Sequence, residues 1–214
     1  MKPIEQLWEC SDADEWDKAL KRYWTFVKPQ NLKLEQAFDA LELQRVRQLD
    51  PRGWYDFLDD EYFRWKYTSP NRLATTRARL RWYIENDRLA DLDRIRRDLL
   101  ILDTDEIHSA LALTLQIRGL GPAGASGLLA VIYPAKFGTA DQFVVKALQQ
   151  VTSLPEAPAF ARMEPGSLRD KDAVLIIEVL RRKAAANNRL FNSTAWTPRK
   201  VDMVLWACRP AVSP

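Results

Sequence analysis

Two features of the 214-residue sequence are equipped for chemistry. One is the stretch Ile117-Arg118-Gly119-Leu120-Gly121-Pro122-Ala123-Gly124-Ala125-Ser126, and the other is Asp141, eighteen positions after Ala123. Glycine serves where the chain must take a positive φ or approach something closely, and Pro122 suits the first turn of a helix. A helix starting there leaves backbone N–H groups at Gly121, Ala123 and Gly124 without helical acceptors, and these groups and the helix dipole favour a phosphate. Ala123, Gly124, Ala125 and Ser126 are small, so a nucleic-acid backbone could come near. Asp141 is a lone carboxylate at the start of the next expected helix. A fixed carboxylate can stabilise developing positive charge and orient or deprotonate a water. Together the two features predict a grip on a nucleic-acid backbone and chemistry on one base. The plainer alternative is an αα-corner with a glycine C-cap, with Asp141 as the N-cap of Gln142-Phe143-Val144-Val145.

These residues need helices to hold them. The sequence has only seven glycines, and its charged segments show helical spacing, so an all-α fold is expected. Residues 12–27 place Trp16, Leu20, Tyr23, Trp24 and Val27 on one face of a first helix. A second is expected over 32–49 and is broken by Asp50-Pro51-Arg52-Gly53. A third, over 54–67, is unusually aromatic. Ser69 before Pro70 fits an N-cap with proline at the first helical position, opening a helix to residue 85. Further helices are expected over 89–102, from a cap at Asp103 or Thr104 to Ile117, and over 122–132, 141–151 and 167–189. A last one runs from Thr197-Pro198 to near Cys208. Residues 153–165 read as a loop.

Composition narrows the chemistry. Lys plus Arg number 32 and Asp plus Glu 29, a net charge of +3 that permits a nucleic-acid partner without requiring one. Cys10 and Cys208 are the only cysteines and His108 the only histidine, which leaves no disulfide framework, cysteine zinc site or four-cysteine iron–sulfur cluster. The first ten residues lack the apolar core of a secretory signal, and no apolar run approaches a membrane span. A cytoplasmic protein without a membrane partner is expected, and a monomer.

The hairpin resembles the helix-hairpin-helix motif of DNA repair and replication proteins. Residues 119–147, with Phe137-Gly138-Thr139-Ala140-Asp141-Gln142-Phe143-Val144 after the hairpin, look like the arrangement in the DNA glycosylase superfamily built on that motif. The resemblance covers roughly residues 54–151, with an echo from Trp196 to Trp206. It implies a two-lobe helical fold, one lobe from residues 65–137 carrying the hairpin, the other from 1–64 and 138–214. The implied reaction is hydrolytic removal of a modified or damaged base flipped out of double-stranded DNA, with Asp141 catalytic.

Gly119, Gly121, Ala123, Gly124, Ser126 and Arg118 would meet the DNA backbone. Lys66 and Tyr67 are the wedge candidates, and Tyr62, Trp65, Tyr133 and Phe143 the candidate pocket walls. Arg72, Arg199 and Lys200 are candidate DNA contacts; the last two open a helix, where cations suit only a nearby anion. The motif often holds a monovalent cation, K+ or Na+, on carbonyls that would here be those of Leu115, Ile117 and Leu120; no other cofactor is implied. Lyase-active members carry a lysine where this chain has Ala123, so a monofunctional enzyme that leaves an abasic site is expected. The rival reading is a DNA-binding protein of the same fold without catalysis.

Overall fold

The computed structural model describes residues 2–208; Met1 and residues 209–214 of the second expected lobe lie outside them. The regular elements of the described residues are all helices, without strands. The helices are α1 (Ile4–Trp8), α2 (Ala13–Phe26), α3 (Pro29–Asp39), α4 (Leu43–Arg47), α5 (Pro51–Asp56), α6 (Phe63–Lys66), α7 (Pro70–Glu85) and α8 (Leu89–Ile101). They continue with α9 (Ile107–Thr114), α10 (Pro122–Ile132), α11 (Gln142–Leu148), α12 (Ala157–Phe160), α13 (Asp170–Leu190) and α14 (Pro198–Ala207). None of them is long and apolar enough to cross a membrane.

Several boundaries follow from single residues. Asp12 caps α2 by accepting the Asp14 N–H. The expected helix over 32–49 is two helices, α3 and α4, separated at Ala40-Leu41-Glu42. Leu41 and Leu43 both pack against the core, and residues two apart cannot share one helical face. The Asp50-Pro51-Arg52-Gly53 break is also a start: Asp50 accepts the Gly53 N–H at 2.6 Å and Pro51 takes the first helical position of α5. The aromatic helix contains a π-helical segment, Phe57–Tyr62, joining α5 to α6, in which the Phe63 N–H reaches back to the Leu58 carbonyl. Such a segment holds one more residue per turn and recurs at functional sites. Ser69 stands at the N-cap of α7, but its side chain makes no capping bond. Residues 153–165 include the short α12.

One buried apolar cluster runs from Ile4 to Leu205. Trp16, Trp54, Phe57, Phe63, Phe137 and Phe160 are among its largest members; burying such side chains stabilises the fold by about 1.5–3 kcal/mol each. Beyond its first turn α10 is buried throughout, from Gly124 to Ile132. It packs on α9, α13 and α14, while α14 lies against α2, α11 and α13. α13 against α9, and α5 against α8, are packings that join the two expected lobes.

Candidate functional site

The hairpin is the turn between α9 and α10. Gly119 has φ +100°, and a Cβ there would stand 2.9 Å from the Thr76 carbonyl oxygen. The position therefore requires glycine twice over, for the left-handed backbone and for the close approach of α7. The Leu120 N–H closes the turn on the Ile117 carbonyl at 3.1 Å. Gly121 is the N-cap of α10, extended at φ −107° and ψ −175°, with no side-chain cap bond and Pro122 after it. A Cβ at Gly121 would meet nothing within 4 Å. The first N–H groups of α10 thus begin beside open space.

That space is a groove of about 780 Å³. The hairpin from Gly119 to Gly124 forms one wall, Arg72 and Arg79 on α7 another, and Pro165 to Leu168 a third. Arg72 and Arg79 are exposed. Lys66, Thr68, Asp141 and Phe143 line the groove and also a second cavity of about 200 Å³ next to it. A wide basic groove therefore adjoins a small chamber, with these four residues common to both.

Asp141 sits at that junction as the N-cap of α11. Its two oxygens face different tasks. Oδ1 accepts the N–H groups of Phe143 at 2.9 Å and Val144 at 3.2 Å. Oδ2 lies 3.6 Å from Lys66 Nζ. The loop that delivers Asp141 is pinned to the hairpin helix, because the Ser126 hydroxyl accepts the Ala140 N–H at 2.9 Å. Lys66 ends α6, and its side chain is only 9% exposed. Burial holds the Lys66 ammonium below the usual lysine range, with the charges of Asp141 and Asp202 acting against that shift.

The chamber has aromatic walls and a charged floor. Tyr23, Trp65, Phe143 and Trp206 provide the walls. On the floor, Arg199 Nη2 lies 2.9 Å from Glu35 Oε1, and Nη1 lies 2.7 Å from Asp202 Oδ1. Tyr23 Oη donates to Glu35 Oε1 at 2.6 Å, and Trp65 Nε1 donates to Oε2 at 2.5 Å. The Thr139 N–H donates to Asp202 Oδ2 at 2.5 Å. Burial opposes the charge on Arg199, but Asp202, Tyr23 and Glu35 outweigh it and hold the guanidinium protonated. Burial pushes the Asp202 carboxyl up to about 6, against the pull of Arg199. The Thr139 hydroxyl is buried and has no hydrogen-bond partner among the described residues, although Thr139 lines the chamber. A ligand of this chamber would thus meet aromatic walls and a fixed carboxylate.

The structure gathers some of the residues expected from sequence and disperses others. Asp141, Lys66, Trp65 and Phe143 meet at the chamber, and Gly119, Gly121, Ala123, Gly124, Tyr67 and Arg72 line the groove. Lys66 does not project as a wedge, since its ammonium is buried against Asp141. Ser126 is fully buried and bonded to Ala140, so it holds the loop rather than meeting a DNA backbone. Gly124 and Gly127 make room for protein: a Cβ at 124 would strike the Tyr67 hydroxyl, and one at 127 would stand 2.7 Å from the Tyr62 hydroxyl.

Tyr62 is not a pocket wall either. It is fully buried and donates to the Gly124 carbonyl at 2.5 Å. Tyr133 lies elsewhere, donating to the Leu99 carbonyl at 2.8 Å. The Arg118 guanidinium stacks on Trp82, 3.6 Å from the ring centroid, and Lys200 Nζ donates to the Ala195 carbonyl at 2.8 Å. Arg199 does find anions, but they are Glu35 and Asp202 of the protein itself. Of the carbonyls expected to hold a monovalent cation, that of Ile117 accepts the Leu120 N–H. Sequence reasoning missed Glu35, Thr139 and Asp202. Glu35 carried one signal, a carboxylate three residues before the core Phe38 on the inner face of α3, and Asp202 another, three residues after Arg199 on the same helix.

The chain matches no protein-family model, no curated protein and no solved structure.

Proposed function

We propose that this protein is a DNA N-glycosylase that hydrolyses the bond between a modified or damaged base and its sugar. The observation that carries the reading is the position of Asp141, common to a basic groove bordered by the start of α10 and a base-sized aromatic chamber. DNA would lie in the groove, with phosphates near the start of α10 and the guanidinium groups of Arg72 and Arg79. A single flipped nucleotide would place its base between Trp65, Phe143 and Trp206, at an unstacking cost of a few kcal/mol. Stacking on the walls and hydrogen bonds to the floor would offset that cost.

As the base departs, positive charge develops on the sugar at the chamber mouth. Asp141 supplies the opposing charge and can orient the attacking water. The rival reading makes Asp141 only a helix cap. Its geometry favours a double role, because capping occupies Oδ1 and leaves Oδ2 directed at Lys66. With Ala123 at the hairpin helix, no amine from that helix reaches the sugar, and the hydrolytic product is an abasic site.

The test is incubation with duplexes bearing a panel of modified bases, followed by alkaline cleavage of abasic sites. Base release by the wild type and its loss in Asp141→Asn are expected. Equal release by the Asn variant, or none from any duplex by a protein that binds them, removes the catalytic assignment.

A further inference from the structure

Three consecutive residues bring Asp141 to its place, and each is held by the interior. Gly138 lies against α13 and the start of α14, where a Cβ would stand 2.6 Å from Leu180 Cδ1 and from the Pro198 carbonyl oxygen. The Thr139 N–H donates to Asp202 Oδ2 at 2.5 Å, and the Ala140 N–H to the Ser126 hydroxyl at 2.9 Å. The two acceptors differ in kind. Ser126 is neutral, whereas Asp202 is a buried acid whose Oδ1 lies 2.7 Å from Arg199 Nη1. A hydroxyl suffices to close a loop, and burying a carboxylate is costly. The carboxylate adds two things. Its bond to the amide is charge-assisted, hence shorter and stronger than a neutral one. Its two oxygens also join that amide to a guanidinium that is itself fixed on Glu35 at 2.9 Å. The loop is thus tied to α3 and α14 together, two residues before the carboxylate that stands between groove and chamber.

We propose that Asp202 is a positioning residue for Asp141: through the Thr139 N–H it sets where the Asp141 carboxylate stands between groove and chamber. This role rests on the reading of Asp141 as the carboxylate that acts on the sugar. Capping alone does not place that group. The bonds from the Phe143 and Val144 N–H groups fix Oδ1 relative to α11 only. Asp202 fixes the preceding loop relative to α14, and so decides how far Oδ2 projects toward a sugar in the groove. A displacement of about 1 Å at such a group costs on the order of 100-fold in rate. Arg199 and Glu35 act one step further back, by holding Asp202 at its post.

The test compares the wild type with Asp202→Ala and Asp202→Asn under conditions where each is folded. Alanine removes the acceptor. Asparagine keeps the size but offers one oxygen to two donors, Arg199 and Thr139. Amide hydrogen exchange followed by NMR needs no substrate. The Ala140 N–H keeps its Ser126 acceptor in every variant, so it loses protection only if Asp202 seats the loop. In Asp202→Ala it should exchange at least about tenfold faster relative to the amides of α13, which report overall stability. Single-turnover base release from a duplex of the modified-base panel should fall about 100-fold in Asp202→Ala at unchanged affinity for that duplex. The asparagine variant should show both effects in smaller degree, and it decides where the alanine variant does not fold. Exchange at Ala140 that rises no more than in α13 means that Asp202 only stabilises the fold, and it overturns the proposal. Base release at the wild-type rate does the same. If the wild type releases no base, the glycosylase reading fails alone, and the Ala140 exchange still tells whether Asp202 seats Asp141.

Discussion

Arg199 and Glu35, 164 positions apart, form an ion pair at 2.9 Å on the chamber floor, with each side chain about nine-tenths buried. Asp202 completes the arrangement from one turn along α14. The pair fixes α3 against α14 and also sets the polarity of any ligand site above it.

Removing one partner should therefore cost much more than a surface bridge. Arg199→Met leaves Glu35 and Asp202 buried without their cation and should destabilise the protein by about 3–5 kcal/mol. Urea unfolding followed by tryptophan fluorescence measures this. A loss below about 1 kcal/mol, the usual worth of an exposed pair, would show that water reaches the floor.

Asp202 gives the stability a defined pH dependence. Its carboxyl titrates near 6 in the folded chain and near 3.8 otherwise, so the folded state binds the proton more tightly. The resulting stabilisation is complete below about pH 4 and is lost as pH rises through 6. The stability of the wild type relative to Asp202→Asn should fall between pH 4 and 7 by about 2–3 kcal/mol. An increase over that range would mean that Arg199 outweighs burial.

The glycines of the hairpin should respond differently to substitution. Gly121 has a permitted φ and open space around it, so Gly121→Glu should fold normally while placing a carboxylate beside the first N–H groups of α10. Salt-dependent DNA binding should be lost in that variant, and fluorescence anisotropy over a range of salt reads it. Unchanged binding would take the hairpin out of the interface. Gly124→Ala instead forces a methyl group into the Tyr67 hydroxyl and should destabilise by about 1–3 kcal/mol.

Asp141 separates capping from catalysis. Asparagine caps a helix about as well as aspartate, whereas alanine costs about 1 kcal/mol. Asp141→Asn should thus keep the cap of α11 and the DNA affinity while base release disappears, any loss of thermal midpoint reporting the lost charge beside Lys66. Asp141→Ala should lose both base release and stability. A normal rate of release in either variant would leave Asp141 as a cap alone.

The sequence by itself determined the local features. Pro122 and Gly121 set the start of α10 where it was expected, and Asp141 set the start of α11, because proline at a first turn and a side-chain cap act within three residues. Gly119 was legible as a turn glycine for the same reason. What the small residues serve was decided only by tertiary packing: Gly124 and Gly127 admit Tyr67, Tyr62 and Lys66, and Ser126 holds Ala140. The four aromatic residues expected at the pocket divide likewise, Trp65 and Phe143 to the chamber, Tyr62 and Tyr133 away from it. The meeting of Lys66 with Asp141, and of Arg199 with Glu35, unites side chains from α3, α6, α14 and the N-cap of α11. Helical periodicity says which face of each element is apolar. Which charged group completes another across the interior depends on how those faces pack, and no spacing within a single helix encodes that.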